Sequence, residues 1–283
     1  MIKQAIIPLA GLGTRLLPLT SVFAKELLPI NGKPGLEYIL DECIEAGIKE
    51  VVFIISKKKM MIKKYFYNDK FYKDIIKKKG DPKIIKEYKK ILKYKKMIKF
   101  VFQDKPLGTG DAVYKTKKFI TDKYFLMLLP DDLIIKKNCS KSMIDVHKKF
   151  RTSVMASMKV KKHDVSRWGI YNIKKKIDKN NFTINNVVEK PTIKASPSNN
   201  AVIGRYILPK SIFSKLKSLK PGNSGEFHIT DAIQALIEDD HQFIGHNFSG
   251  KYLDCGTMKG YIKSTLEISK QWNFAWLERG MLV

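Results

Sequence analysis

Apolar positions along this chain fall into two rhythms that alternate. Residues 5–9 form a short apolar run that ends in glycines, the pattern of a buried strand. In residues 35–47 the apolar side chains Leu36, Ile39, Leu40, Cys43 and Ile44 recur at helical spacing and give one apolar face. Gly47 suits the position just past such a helix. Residues 51–55 read as a second buried strand. Strand, helix, strand in that order implies a right-handed parallel unit. Residues 98–102 and 124–129 predict further strands, the latter apolar enough to lie in the middle of a sheet with both faces covered. Residues 140–150 read as a helix. The pattern then turns strand-rich, at 153–160, 169–173, 183–189 and 201–208, before a helix that opens within 225–231. The alternation predicts an α/β fold: a doubly wound, mostly parallel, Rossmann-like mixed sheet with C-terminal helices.

Two stretches are less regular. Residues 57–99 are dense in Lys, Tyr and Ile, with Gly80-Asp81-Pro82 in the middle. They predict two surface helices joined by a turn, with Tyr65, Phe66 and Phe71 packing on the core rather than stacking on bases. The tail, 261–282, reads as helical, with Trp272, Phe274 and Trp276 packing on the body or on a partner subunit.

The chain has 283 residues, ample for one large core. No run approaches the roughly 20 apolar residues of a membrane span, and the N-terminus lacks the pattern of a signal peptide. Cys43, Cys139 and Cys255 lie far apart, with no metal-ligand spacing and no paired framework. A reduced, cytoplasmic setting is expected. The net charge of +27 invites a nucleic-acid reading. Yet only five of the 54 basic residues are arginine, the side chain suited to base and phosphate forks. The lysines are spread among many Ile and Asn, which reads as compositional drift and a solvated surface. No specific nucleic-acid partner is expected.

The candidate chemistry begins directly after the first strand. Gly11 and Gly13 let the backbone turn tightly with bare N–H groups beside a ligand. Arg15 and Lys25 follow. A glycine turn and two cations are what a polyphosphate requires. The spacing is neither a Walker loop nor a dinucleotide fingerprint, since Leu16 stands where the latter needs glycine. Gln103 closes a strand and precedes a second glycine loop, Pro106-Leu107-Gly108-Thr109-Gly110; its amide can both donate to and accept from a base edge. Asp131 and Asp132 sit at the carboxyl end of the central strand, where open α/β sheets bind ligands.

The order Gly11-Leu12-Gly13-Thr14-Arg15-Leu16, Pro18, Lys25-Glu26-Leu27-Leu28-Pro29, Lys33-Pro34 resembles the signature of the sugar-nucleotide pyrophosphorylases, most of all the bacterial-type UTP–glucose-1-phosphate uridylyltransferases. Further blocks continue the resemblance: Trp168-Gly169-Ile170, Val188-Glu189-Lys190-Pro191, residues 200–206 around Gly204, residues 225–231 and Tyr252-Leu253-Asp254-Cys255-Gly256-Thr257. The resemblance implies one nucleotidyltransferase domain over 1–283, with a nucleotide-binding half (1–150), a sugar-binding half (151–256) and a helical tail (257–283).

It also implies roles. Ala10, Gly11, Gly13, Gln103 and Gly108 would hold the nucleotide, with Gln103 and Gly108 at the uracil. Arg15 and Lys25 would face the phosphates that leave. Gly169, Glu189, Lys190 and Gly204 would meet the sugar phosphate, and Asp131 and Asp254 would bind Mg²⁺. Asp111 departs from the His or Gly common after the second glycine loop, and Asp132 stands where an apolar residue is common. His228 is given no catalytic role, and Cys255 none as a nucleophile. The implied partners are UTP and glucose 1-phosphate, and the family usually forms homodimers or homotetramers. Three other readings stay open: the same chemistry with another base or sugar, such as a thymidylyltransferase; a nucleotide-sugar sensor without turnover; and a lysine-rich nucleic-acid module.

Overall fold

Alternate residues of the first strand, β1 (Gln4–Pro8), face two different cores. Ala5 and Ile7 belong to one apolar cluster and Ile6 to another, all of them fully buried. The same split recurs along β4 (Glu50–Ile55), where Val51, Phe53 and Ile55 face one side and Val52 and Ile54 the other. A sheet apolar on both faces needs a layer of helices on each.

The structure, a computed structural model, describes residues 1–222 and 225–270. Between β1 and β4 come β2 (Pro29–Ile30), β3 (Lys33–Pro34) and α1 (Gly35–Glu45). Then follow α2 (Met60–Tyr67), α3 (Asp69–Lys79), α4 (Pro82–Met97), β5 (Ile98–Phe102), α5 (Gly108–Lys115), β6 (Tyr124–Leu128), β7 (Asp132–Ile135) and α6 (Cys139–Phe150). The second half holds β8 (Ser153–Lys159), β9 (Gly169–Lys176), β10 (Asn181–Glu189), β11 (Asn200–Pro209), α7 (Ile212–Ser218), α8 (Ile229–Glu238), β12 (Phe243–Asn247), β13 (Lys251–Asp254) and α9 (Met258–Ser269).

The main sheet has nine strands in the order β5-β4-β1-β6-β11-β8-β12-β10-β9. The first four run parallel. Among the nine, only β10 and β11 run against the rest, so the sheet is mixed but mostly of one direction. Helices α1, α2, α4, α6 and α9 cover one face. Helices α5, α7 and α8 cover the other. The doubly wound expectation is met. A separate antiparallel pair, β7 with β13, sets Asp254 opposite Asp132.

Helix ends follow local chemistry. Asp81 caps α4, accepting from Lys83 N at 2.7 Å, with Pro82 in the first turn. Asn138 caps α6 through Lys141 N at 2.8 Å. The 57–99 stretch corrects the sequence expectation: it forms three helices, because the backbone breaks at Asn68 between α2 and α3. Phe66 packs into the core as expected, Tyr65 is half-buried, and Phe71 stands 53% exposed. The expected tail residues Trp272, Phe274 and Trp276 lie outside the described residues.

One buried group links the sheet to pH. His246 on β12 is buried, with its Nδ1 2.8 Å from Asn181 Oδ1. Burial holds the ring below the ordinary imidazole range, against the opposing Asp178 charge. A depressed folded-state pKa favours the neutral ring. Its contribution to stability is therefore present above the unfolded value of about 6.5 and lost as pH falls through the folded one. In denaturant unfolding between about pH 8 and pH 5, wild type should lose stability on the acid side and His246→Asn should lose less. Equal slopes in the two proteins would remove His246 from the acid response.

Candidate active site

Three of the parallel strands, β1, β5 and β6, end on one edge of the sheet, and the segments that leave them build a cleft. The loop after β1 brings Ala10, Gly11 and Gly13, the residue after β5 is Gln103, and the loop after β6 carries Asp131. With Lys25 and Gly108 these residues line a cavity of about 480 Å³. Seven residues singled out from the sequence thus share one space. Gly169, Glu189, Lys190, Gly204, Arg15 and Asp254 are not among its lining residues.

Lys25 sits on a 3₁₀ turn, Lys25–Leu27, and its Nζ lies 2.7 Å from Asp131 Oδ2. Burial works against the charged form of both. It is outweighed at Lys25 by the Asp131 and Glu26 charges, so the ammonium is held above its ordinary range. At Asp131 it is outweighed by Lys25 and, more weakly, Arg15, so the carboxyl is held below its ordinary range. The pair is therefore doubly ionic across the neutral pH range. Arg15 itself, on the turn Thr14–Leu16, is exposed.

Asp254 reaches the same place from the far end of the chain. A β-carbon at Gly256 would sit 2.8 Å from Asp131 Oδ2 and 3.3 Å from Asp254 Oδ1. The missing side chain leaves two carboxylates facing one small space. Asp254 Oδ1 also accepts from Gly256 N at 2.8 Å, and Cys255 N donates to Asp131 O at 2.8 Å. Among the described residues no group of three or more His, Cys, Asp or Glu side chains gathers to hold a metal ion. Two carboxylates alone are a donor set for a hard cation that takes its remaining ligands from phosphate and water.

Asp132 points elsewhere. Its Oδ1 accepts from Tyr252 OH at 2.6 Å and its Oδ2 from Gly204 N at 2.8 Å. Burial, with the Asp131 charge beside it, pushes its carboxyl up to about 6. The amide of Gly204 is therefore engaged inside the protein. An added β-carbon at Gly204 would come within 2.5 Å of both Asp132 Oδ2 and Leu129 Cβ. Beneath this loop lies Arg205, fully buried, with Nη2 2.9 Å from Glu42 Oε2. It donates to Leu129 O at 3.1 Å, Gly204 O at 2.9 Å and Asp132 O at 2.6 Å. One guanidinium thus ties the end of β6 to β11 and α1.

The second glycine loop is held by the segment before α8. Gly108 has φ +93°, and a β-carbon there would meet Phe227 O at 2.5 Å, so only glycine fits. Gly110 N donates to Phe227 O at 2.7 Å and Phe227 N to Leu107 O at 2.8 Å. Gln103 is buried, and its Nε2 donates to Gly108 O at 3.1 Å and Asp111 Oδ2 at 2.7 Å.

Glu189, Lys190 and Gly169 gather at one end of the β9–β10 pair. Strand pairing sets Glu189 opposite Gly169, and a β-carbon on Gly169 would stand 3.0 Å from Glu189 Oε2. Lys190 has φ +44°, a left-handed conformation costly for a long side chain, and its N–H donates to Trp168 O at 3.0 Å. Its Nζ lies 3.7 Å from Glu189 Oε1 and both side chains are exposed.

Sequence reasoning missed several residues. His228 and Glu226 line the cleft. Lys59, from the lysine-dense stretch, is buried and bonds both Glu26 oxygens at 2.8 Å. Burial draws its ammonium down, with Glu26 opposing. The only sequence hint was that Glu26 adjoins Lys25.

A phosphate-ready cleft at the strand ends of a doubly wound sheet defines a nucleotide-handling transferase. The chain belongs to the nucleotidyl transferase family, which it matches over residues 4–271. Within that family, UTP–glucose-1-phosphate uridylyltransferase 2 of Staphylococcus saprophyticus is 36% identical over 267 residues, covering 94% of this chain and 91% of that one. The UTP-bound UGPase of Acinetobacter baumannii superposes with a TM-score of 0.88 at 30% identity, covering 100% of this chain and 98% of that one. A UDP-glucose pyrophosphorylase solved with UDP-glucose gives 0.84 at 33% identity, covering 96% and 100%.

Proposed function

We propose that this protein makes UDP-glucose and pyrophosphate from UTP and glucose 1-phosphate. The observation that carries the reading is the Lys25–Asp131 ion pair, set in the cleft with the first glycine turn and Gln103, with Asp254 beside it across Gly256. The relative at 36% identity is named for this substrate pair, and the structure at 33% identity is a UDP-glucose pyrophosphorylase with UDP-glucose bound. In this reading residues 1–150 hold the nucleotide, 151–256 the sugar phosphate, and 257–283 form the tail.

An oxygen of the sugar phosphate attacks the α-phosphorus of UTP in line. The bond from that phosphorus to the bridging oxygen breaks, and pyrophosphate leaves with the electron pair. No protein nucleophile takes part: burial pushes the nearby Cys255 thiol up to about 12. The reaction brings two polyanions together, so positioning and charge neutralisation dominate. Amides of Ala10, Gly11 and Gly13 bind the nucleotide, while Gln103 and Gly108 meet the base. Lys25 and Arg15 neutralise the departing pyrophosphate. Lys190 orients the attacking phosphate, and Glu189 accepts from sugar hydroxyls beside the Gly169 backbone; Gly204, expected there too, has its N–H bound to Asp132 and its C=O to Leu129 N and Arg205. Asp131 and Asp254 would hold Mg²⁺, which supplies charge neutralisation at the phosphates when bound. Three buried free thiols suit a reducing cytoplasm, and among the described residues no helix is long and apolar enough to cross a membrane.

Pyrophosphate release with magnesium, glucose 1-phosphate and each of UTP, dTTP, ATP, GTP and CTP tests the reading. Release that needs both UTP and the sugar phosphate supports it. A preference for dTTP moves the protein to the neighbouring specificity, and no release with any pair overturns it. Lys190→Ala is expected to keep UTP affinity while losing turnover by about 10²-fold, the loss of one contact made mainly in the transition state. Full activity in that variant would remove Lys190 from the mechanism.

A further inference from the structure

The base contact of Gln103 belongs to the proposed function; what sets the direction of that contact is a separate matter. A glutamine amide has two ends, and flipping it exchanges a donor for an acceptor. Gln103 is 4% exposed and its backbone N–H is tied to Ile55 O at 2.9 Å, so the side chain leaves the strand end from a fixed point. Both hydrogens of its Nε2 are committed. One goes to Gly108 O at 3.1 Å and the other to Asp111 Oδ2 at 2.7 Å. Oε1 takes no hydrogen bond among the described residues, and Gln103 lines the cleft. Asp111 is itself held in place, in the first turn of α5 with Lys115 Nζ 3.7 Å from its Oδ1.

A flipped amide would set Oε1 against a carboxylate and a carbonyl. Neither of those oxygens can donate, so two acceptors would face a third. A carboxylate partner also makes the stronger bond, charge-assisted on one side. The side chain therefore presents an acceptor, and only an acceptor, to whatever lies in the cleft.

Uracil and thymine carry a ring N–H between their two carbonyls, whereas cytosine has a bare ring nitrogen at that position. We infer that Asp111 is a specificity-determining positioning residue: it locks the Gln103 amide so that the cleft accepts a pyrimidine with a ring N–H and rejects cytosine. The inference rests on the uridylyltransferase reading only for which base is present; the lock itself can be read by binding alone.

The test compares wild type, Asp111→Ala and Asp111→Asn. Dissociation constants for UTP and CTP are measured by calorimetry, and kcat/KM for both with glucose 1-phosphate. Wild type should favour UTP. In Asp111→Ala the UTP/CTP ratio should fall about tenfold or more, the weight of one hydrogen bond to a charged group. The fall should come from a gain with CTP, which a general loosening of the loop would not produce. Asp111→Asn keeps the side-chain volume, but its amide can donate to a flipped Oε1 as well as accept from Nε2, so it too should lose most of the ratio. An unchanged ratio in Asp111→Ala, or equal losses with both nucleotides, overturns the inference. A wild type that binds UTP selectively, loses selectivity in Asp111→Ala and turns over nothing would overturn the proposed reaction and uphold the lock. A wild type that binds neither nucleotide overturns both.

Discussion

A Lys25→Met variant is expected to release pyrophosphate about 10²–10³-fold more slowly than wild type, the loss seen when one preorganised charge or donor is removed from a developing anion. Methionine keeps most of the packing and removes the charge. The effect should fall on kcat more than on the KM for UTP, because the triphosphate gains charge at the bridging oxygen only as the bond breaks. Lys25 also holds Asp131 as a carboxylate, burial opposing and the ammonium winning. Its loss should therefore raise the magnesium concentration needed for half-maximal rate. Steady-state pyrophosphate release across a magnesium titration reads both effects. A rate within a few-fold of wild type at saturating magnesium would remove Lys25 from the chemistry and leave it a structural partner of Asp131.

Arg205→Ala is expected to lower stability by about 3–5 kcal/mol, because it strands the buried Glu42 carboxylate. Both partners are almost fully buried, and the guanidinium also serves the backbone carbonyls of Leu129, Asp132 and Gly204. The fall in Tm should be on the order of 10 °C. Substituting both ends, Arg205→Met with Glu42→Leu, should recover much of the loss, since no uncompensated charge remains. Activity should recover less than stability, because the carbonyls of Leu129 and Asp132 lose the donor that sets the loop beneath Asp131. Thermal unfolding of both variants checks the first point and kcat of the folded double variant the second. A single variant as stable as wild type would refute the buried-pair argument.

The nucleotide side of the site is legible in sequence because its parts are close together in the chain. Gly11, Gly13 and Lys25 stand on one loop after one strand, and Gln103 with Gly108 on another, so short-range pattern brings each group to a strand end. The structure sets both groups in one cleft. The lysine-dense stretch was less legible. Its periodicity shows helices, but the break at Asn68 carries no glycine or proline, so three helices read as two. Glu26 and Lys59 were missed for another reason. A lysine among 54 basic residues carries no mark that it will be buried, or on which carboxylate.

By itself the sequence determined the alternation of strands and helices, the faces they bury and the loops that carry glycine and charge, since these depend on propensity and pattern over a few residues. Only the tertiary structure decided which distant carboxylates meet. Asp254 reaches Asp131 because β13 pairs with β7, and Gly256 leaves the space between them. Glu42 meets Arg205, 163 positions away, beneath the site, where its carboxylate compensates the buried guanidinium. Such meetings depend on strand register and on the cost of an unsatisfied charge in the interior, and neither is carried by any local run of residues.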